Sequence, residues 1–117
     1  MSEFGNHIRK KRESLKQEDR SYSVRQVAAR IEVEPSFLSK VERGIEPPPS
    51  EEKIRAIAKD LDEDPDVLLA MAGKVSADLI KIICRRPALF AKLSQDLKKM
   101  PNHAVLRLVR EVRDGDW

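Results

Sequence analysis

Apolar residues recur along this chain at helical spacing almost from end to end. Phe4, Ile8 and Leu15 mark one face of a helix expected over residues 3–16. Val24, Val27, Ala28 and Ile31 fall at i, i+3, i+4, i+7, behind Ser23, a good N-cap. Gln26, three residues on from Ser23, offers the second half of a capping box. Phe37, Leu38 and Val41 repeat the spacing after a break at residues 32–35. Pro35 suits the first position of that third helix, and Gly44 the position just past its end. Pro47, Pro48 and Pro49 then demand an extended connector.

Ser50 caps a fourth helix, with Glu51 and Glu52 suited to its positive end and Ile54, Ile57, Ala58 and Leu61 on its inner face. Asp64 and Pro65 open a fifth, carrying Val67, Leu68 and Met71 and stopping at Gly73. Three more amphipathic helices are expected in the remainder. Ser76 caps the first, with Leu79, Ile80, Ile82 and Ile83. Pro87 opens the second, with Leu89, Phe90, Leu93, Leu97 and Met100. Past Pro101, the third carries Val105, Leu106, Leu108, Val109 and Val112. No stretch alternates with period two and no Asn-Gly hairpin signal occurs, so the expected fold class is all-α.

With 117 residues, the chain holds one small domain and an appendage, divided here as 1–73 and 74–117. Net charge is only +3, but it is unevenly spread. Residues 1–44 carry 10 Lys/Arg against 7 Asp/Glu, residues 45–73 carry 3 against 8, and residues 74–117 carry 10 against 5. Two basic segments thus flank an acidic one. That fits a polyanionic partner, and equally a solvated surface of mixed charge. Nonspecific coating of nucleic acid is disfavoured, because it runs on phosphate neutralisation and +3 is a weak source.

Cys84 is the sole cysteine, so neither a disulfide framework nor a cysteine-based metal site can form within one chain. Lying among Ile80, Ile82 and Ile83, it reads as a small buried hydrophobe. The N-terminus is charged from Glu3 onward and no apolar run approaches a membrane span, so a cytoplasmic location is expected. His7 and His103 have no motif partner, and no HExxH, Walker loop or GxSxG occurs. Neither an enzyme nor a cofactor or metal is expected.

The pair of short helices between residues 23 and 44 carries most of the functional signal. Alone they would be too short to be stable. Joined by a tight turn they form a helix-turn-helix, in which the second helix enters the DNA major groove. That groove is about 12 Å wide, so two turns of helix present all the side chains it can receive.

Ser23-Val24-Arg25-Gln26-Val27-Ala28, then Val33, then Phe37-Leu38-Ser39-Lys40-Val41-Glu42-Arg43-Gly44 resemble the lambda-repressor-like, Cro/CI-type (XRE) helix-turn-helix regulators. Pro49-Ser50 and the Ala58-x-x-Leu61 spacing agree, and the resemblance covers about residues 4–72. It implies a five-helix DNA-binding domain with the third helix as reader, followed here by a short helical dimerisation region.

Carried over by position, Ser36, Phe37, Ser39, Lys40 and Arg43 form the outer face of that helix. Lys40 is the candidate for a guanine O6/N7 edge, or else for phosphate alone. Ser36 can reach a base or a phosphate. Phe37 either meets a thymine methyl or packs beneath the second helix. Arg25 and Gln26 match backbone-clamping positions, with Ser39 and Arg43 flanking the groove. The family's helix-one Arg and the Glu before the third helix's C-cap correspond to Arg12 and Glu42, implying an ion pair that orients the reader; plain surface charge is the alternative.

Two departures stand out. The family's turn usually holds Gly, where this chain has Glu32: either the turn is left-handed at a strain of about 1 kcal/mol, or it is shaped differently. Glu34 stands where Ser or Thr often caps the reader. A carboxylate there repels phosphate but can accept from a cytosine N4 amine.

The tail's three helices cannot bury their apolar faces well alone. A homodimer is expected, built mainly by residues 75–112, with Leu89, Phe90, Leu93, Leu97, Val105, Leu108, Val109 and Val112 at its seam. A monomer with one extended core is the alternative. The leading expectation is a dimeric repressor on an inverted-repeat double-stranded DNA operator. The competing one is an antitoxin-like or protease-controlled module whose C-terminal helices bind another protein. Arg107, Arg110 and Arg113 face either solvent or phosphate.

Overall fold

The computed structural model describes residues 3–101, and every regular element among them is helical. The elements are α1 (Glu3–Lys16), a 3-10 turn (Arg20–Tyr22), α2 (Val24–Arg30), α3 (Pro35–Glu42), α4 (Glu51–Leu61), α5 (Pro65–Met71), α6 (Ala77–Arg85) and α7 (Pro87–Lys99). The chain divides into two units after Ser76.

In the first unit, Phe4 and Ile8 of α1, Val27 and Ala28 of α2, and Leu38 and Val41 of α3 meet Ile54, Ile57, Ala58 and Leu61 of α4 in one buried core. Ile31 closes it between α2 and α3, and Leu68 and Leu69 close it from α5. The α5 face differs from the sequence expectation. Leu69 is buried while Val67 is exposed, and Met71 only packs at the edge. In a seven-residue helix a small rotation changes which neighbour points inward, and contacts with α4 and α1 decide it.

Local chemistry fixes the starts of the helices. Ser23 accepts from the Gln26 N–H at 3.2 Å, Ser50 from the Lys53 N–H at 3.3 Å, and Asp64 from the Asp66 N–H at 2.9 Å. The Ser23 N–H donates to the Arg20 carbonyl, so the 3-10 turn takes the place of the reciprocal half of the capping box. That turn is absent from the sequence reading. Asp19 caps it, and hydrogen bonds from Ser21 hold the Asp19 carboxyl below its ordinary range.

The ends of α2, α3, α4 and α5 share one solution. Each runs into a left-handed residue, the one past the C-cap at Glu32 (φ 60), Gly44 (φ 76) and Gly73 (φ 73), and the C-cap itself at Asp62 (φ 57). The next residue's N–H then reaches back to a carbonyl five residues earlier: Val33 to Ala28, Ile45 to Lys40, Glu63 to Ala58 and Lys74 to Leu69. This 6→1 bond defines a Schellman motif and satisfies carbonyls the helix itself leaves open.

In the second unit α6 and α7 contact each other. None of their residues is buried. Cys84 is exposed, which overturns the expectation of a buried thiol: among the described residues, the packing of α6 against α7 buries no side chain and so leaves no interior to enclose it. The expected third helix of this region, with Val105, Leu108, Val109, Val112 and the three arginines, lies outside the described residues.

Candidate nucleic-acid interface

α3 buries Leu38, Val41 and Glu42 and leaves Ser36, Lys40 and Arg43 exposed, with Ser39 and Phe37 half-buried. The outward positions are polar or cationic because Leu38 and Val41 in the core and the buried Glu42 consume the opposite side of a two-turn helix. Arg25 and Gln26 stand exposed in the first turn of α2. Arg43 folds its Nε toward the Ser39 carbonyl at 3.4 Å, so part of its donor capacity serves the end of α3.

Phe37 packs at the edge of the core and also lines an open depression. The depression measures ≈ 640 Å³ and is bounded by Glu32, Val33, Glu34, Phe37, Pro49, Ser50 and Lys53. Glu34 occupies the N-cap position of α3 but makes no side-chain cap hydrogen bond. Its carboxylate is exposed beside the helix start.

The anchor of α3 is an ion pair. Arg12 Nε donates to Glu42 Oε2 at 2.7 Å, and Nη2 donates to Oε1 at 2.9 Å. A third bond runs from Nη1 to the Tyr22 carbonyl at 3.2 Å, tying in the 3-10 turn. Both side chains are nearly sealed, 6% and 4% exposed. The Glu42 hydrogen bond holds the Arg12 guanidinium above its ordinary value, against the opposing effect of burial. It is therefore a cation at any pH at which a protein is handled. The same two helices approach closely elsewhere. A Cβ added at Gly5 would overlap the Val41 carbonyl oxygen and stand 2.9 Å from that of Glu42.

Three further contacts were missed from sequence. Lys53 Nζ donates to the carbonyls of Ile31 at 2.8 Å and Glu32 at 3.3 Å, reaching from α4 into the turn between α2 and α3. Arg30 makes a two-pronged contact with Asp60 at 2.6 and 3.0 Å and lies 5.1 Å over the Tyr22 ring, joining α2 to α4. His7 lies 3.1 Å from Glu63, a partner that no motif announced. A stripe of polar residues gives no periodic signal, and the hydrogen-bonded pairs among these span at least 21 residues. The one visible cue was Lys53 itself, a cation in the first turn of α4, where cations are disfavoured.

On α7, Leu89, Phe90, Leu93 and Leu97 are all exposed, as are Leu79, Ile80 and Ile82 on α6. Among the described residues, no group of His, Cys, Asp and Glu could hold a metal, and no helix is long and apolar enough to cross a membrane.

Two short helices joined by a left-handed turn, the second locked at its base and polar on its outer face, define a helix-turn-helix, a class built to meet DNA. Residues 3–71 match the family model described as a helix-turn-helix domain, more than half of the chain, and the chain belongs to that family. The match is consistent with the Cro/CI-type resemblance. Comparisons with curated proteins and with solved structures gave no match.

Proposed function

We propose that this chain is a sequence-specific transcriptional repressor that binds an inverted-repeat operator in double-stranded DNA as a homodimer. One observation carries the reading: the exposed Ser36, Lys40 and Arg43 lie on a helix whose base is fixed by the buried Arg12–Glu42 pair. Recognition needs a reader held in a fixed direction, since phosphate contacts set register while base contacts specify. Lys40 is assigned to a base edge. Arg25 and Gln26 are assigned to the backbone, with Ser36, Ser39 and Arg43 at the groove's flanks. Phe37, at the core's edge, offers its ring to a thymine methyl, and Glu34 offers its carboxylate to a cytosine amine. Repression follows by occlusion of polymerase.

The dimer is supported by the exposed leucines and Phe90 of α7 together with the exposed Ile80 and Ile82 of α6, apolar side chains that a second copy would cover by symmetry. The same faces favour, as second reading, a module that binds a different protein. The test is selection of bound duplexes from a random library at physiological salt. Enrichment of an inverted repeat supports the regulator. No enrichment, with a stable complex formed with another protein, moves the second reading ahead.

A further inference from the structure

Four helices of the first unit end on a left-handed residue, but the four positions are not chemically alike. Gly44 and Gly73 adopt the conformation without steric penalty. Asp62 belongs to the small group of residues that visit it with tolerable strain. Glu32 has neither advantage, and its carboxylate is exposed with no stabilising contact of its own among the described hydrogen bonds. It is also the one at which a lysine from another helix gathers the carbonyls of the turn, Ile31 at 2.8 Å and Glu32 at 3.3 Å.

The placement of Lys53 makes no sense for α4 alone. It sits in the first turn behind Ser50, Glu51 and Glu52, where a helix favours anions. Its ammonium instead lies against the C-terminal end of α2, where a helix favours cations. The turn it grips is the joint from which α3 departs only three residues later.

We infer that Lys53 is a positioning residue for α3: by gathering the Ile31 and Glu32 carbonyls it holds the left-handed joint at Glu32 and sets the direction in which the reading helix leaves α2. This rests on the proposed function for its consequence, not for its mechanics. The Lys53 ammonium is spent on the turn carbonyls rather than on a base. Without its ammonium the joint relaxes, α3 samples several directions, and discrimination between duplexes falls while attraction to phosphate does not.

Two experiments on the full chain decide it. Lys53→Met keeps the apolar stem and removes the ammonium, Lys53→Arg keeps a cation, and Glu32→Gly removes the strain at the joint. The first experiment is a thermal double-mutant cycle. Lys53→Met lowers Tm by several degrees beside Glu32, and by less than half as much beside Gly at position 32, because Gly keeps the left-handed joint without strain and so needs no grip. Equal loss in both backgrounds overturns the inference.

The second compares affinity for a selected duplex with that for a scrambled duplex of equal length, across salt concentrations. Lys53→Met lowers the ratio about tenfold with an unchanged salt slope, and Lys53→Arg or the added Glu32→Gly restores it. An unchanged ratio overturns the inference and leaves the regulator reading standing. A slope smaller by about one makes Lys53 a phosphate ligand and overturns the positioning role. If the unaltered protein prefers no duplex, the proposed function fails, and the thermal cycle alone settles whether Lys53 holds the joint.

Discussion

Arg12 and Glu42 sit thirty residues apart in sequence and meet through two parallel hydrogen bonds of 2.7 and 2.9 Å, both side chains nearly closed to solvent. The pair ties the middle of α1 to the last residue of α3. Burying two charges is expensive, and an apolar pair of similar volume is often as stable. What the ion pair adds is direction: a planar guanidinium grips a carboxylate in one geometry, and the Tyr22 carbonyl fixes the guanidinium from a third side.

Glu42→Ala leaves the Arg12 cation buried without its partner. The expected loss is about 3–5 kcal/mol of stability. The double change Arg12→Met with Glu42→Leu restores most of it, yet leaves DNA discrimination impaired. Denaturant unfolding of the three proteins reads the stabilities. A Glu42→Ala protein as stable as the original would mean that the pair opens to water in solution.

Gly5 tests the same joint from the backbone side. Helix propensity alone favours Ala over Gly by about 1 kcal/mol. The new methyl, however, meets the carbonyl oxygens of Val41 and Glu42, which belong to backbone and cannot swing away. Gly5→Ala is therefore expected to destabilise by about 1–3 kcal/mol. A rise in Tm would show that α1 lies farther from α3 than described.

Much of this fold was legible because its signals are local. Ser23, Ser50 and Asp64 announce helix starts through hydrogen bonds two or three residues long: Ser23 and Ser50 cap as expected, and Asp64, read only as a helix start, proves to be a cap too. The core positions of α2 and α4 follow from spacing. At Glu32 the resemblance left two outcomes open, a strained left-handed turn or a turn of another shape, and the residue is left-handed, with φ 60. What stayed hidden is contact between polar groups far apart in sequence. Lys53 at the turn, Arg30 on Asp60 and Gly5 against α3 follow from how helices pack, and no periodicity encodes that. Cys84 misled because apolar neighbours in sequence do not make an interior: among the described residues, no side chain of α6 or α7 is buried.

On α7, Phe90→Asp places a carboxylate in the face assigned to a second copy. The protein is expected to sediment as a dimer, and the variant near the 13.4 kDa of one chain. Unfolding of the first unit stays unchanged, since Phe90 takes no part in its core. An original protein already at 13.4 kDa at micromolar concentration would exclude the dimer.

Arg25 and Lys40 are both exposed cations, assigned to different work. Arg25→Ala should weaken binding to all duplexes alike and reduce the salt slope by about one. Lys40→Ala should cost about 1–3 kcal/mol on the preferred site and far less on others. Titrations at several salt concentrations separate the two.

Selection of duplexes by the unaltered protein and by Lys40→Ala, run side by side, tests most directly whether α3 reads DNA. The expected result is an inverted repeat with half-sites about 34 Å apart, or a multiple of that, in which Lys40→Ala loses preference at one symmetric position and keeps the spacing. Identical preferences at every position from the two proteins would contradict Lys40 as a reader, and with it the central place given to this face of α3.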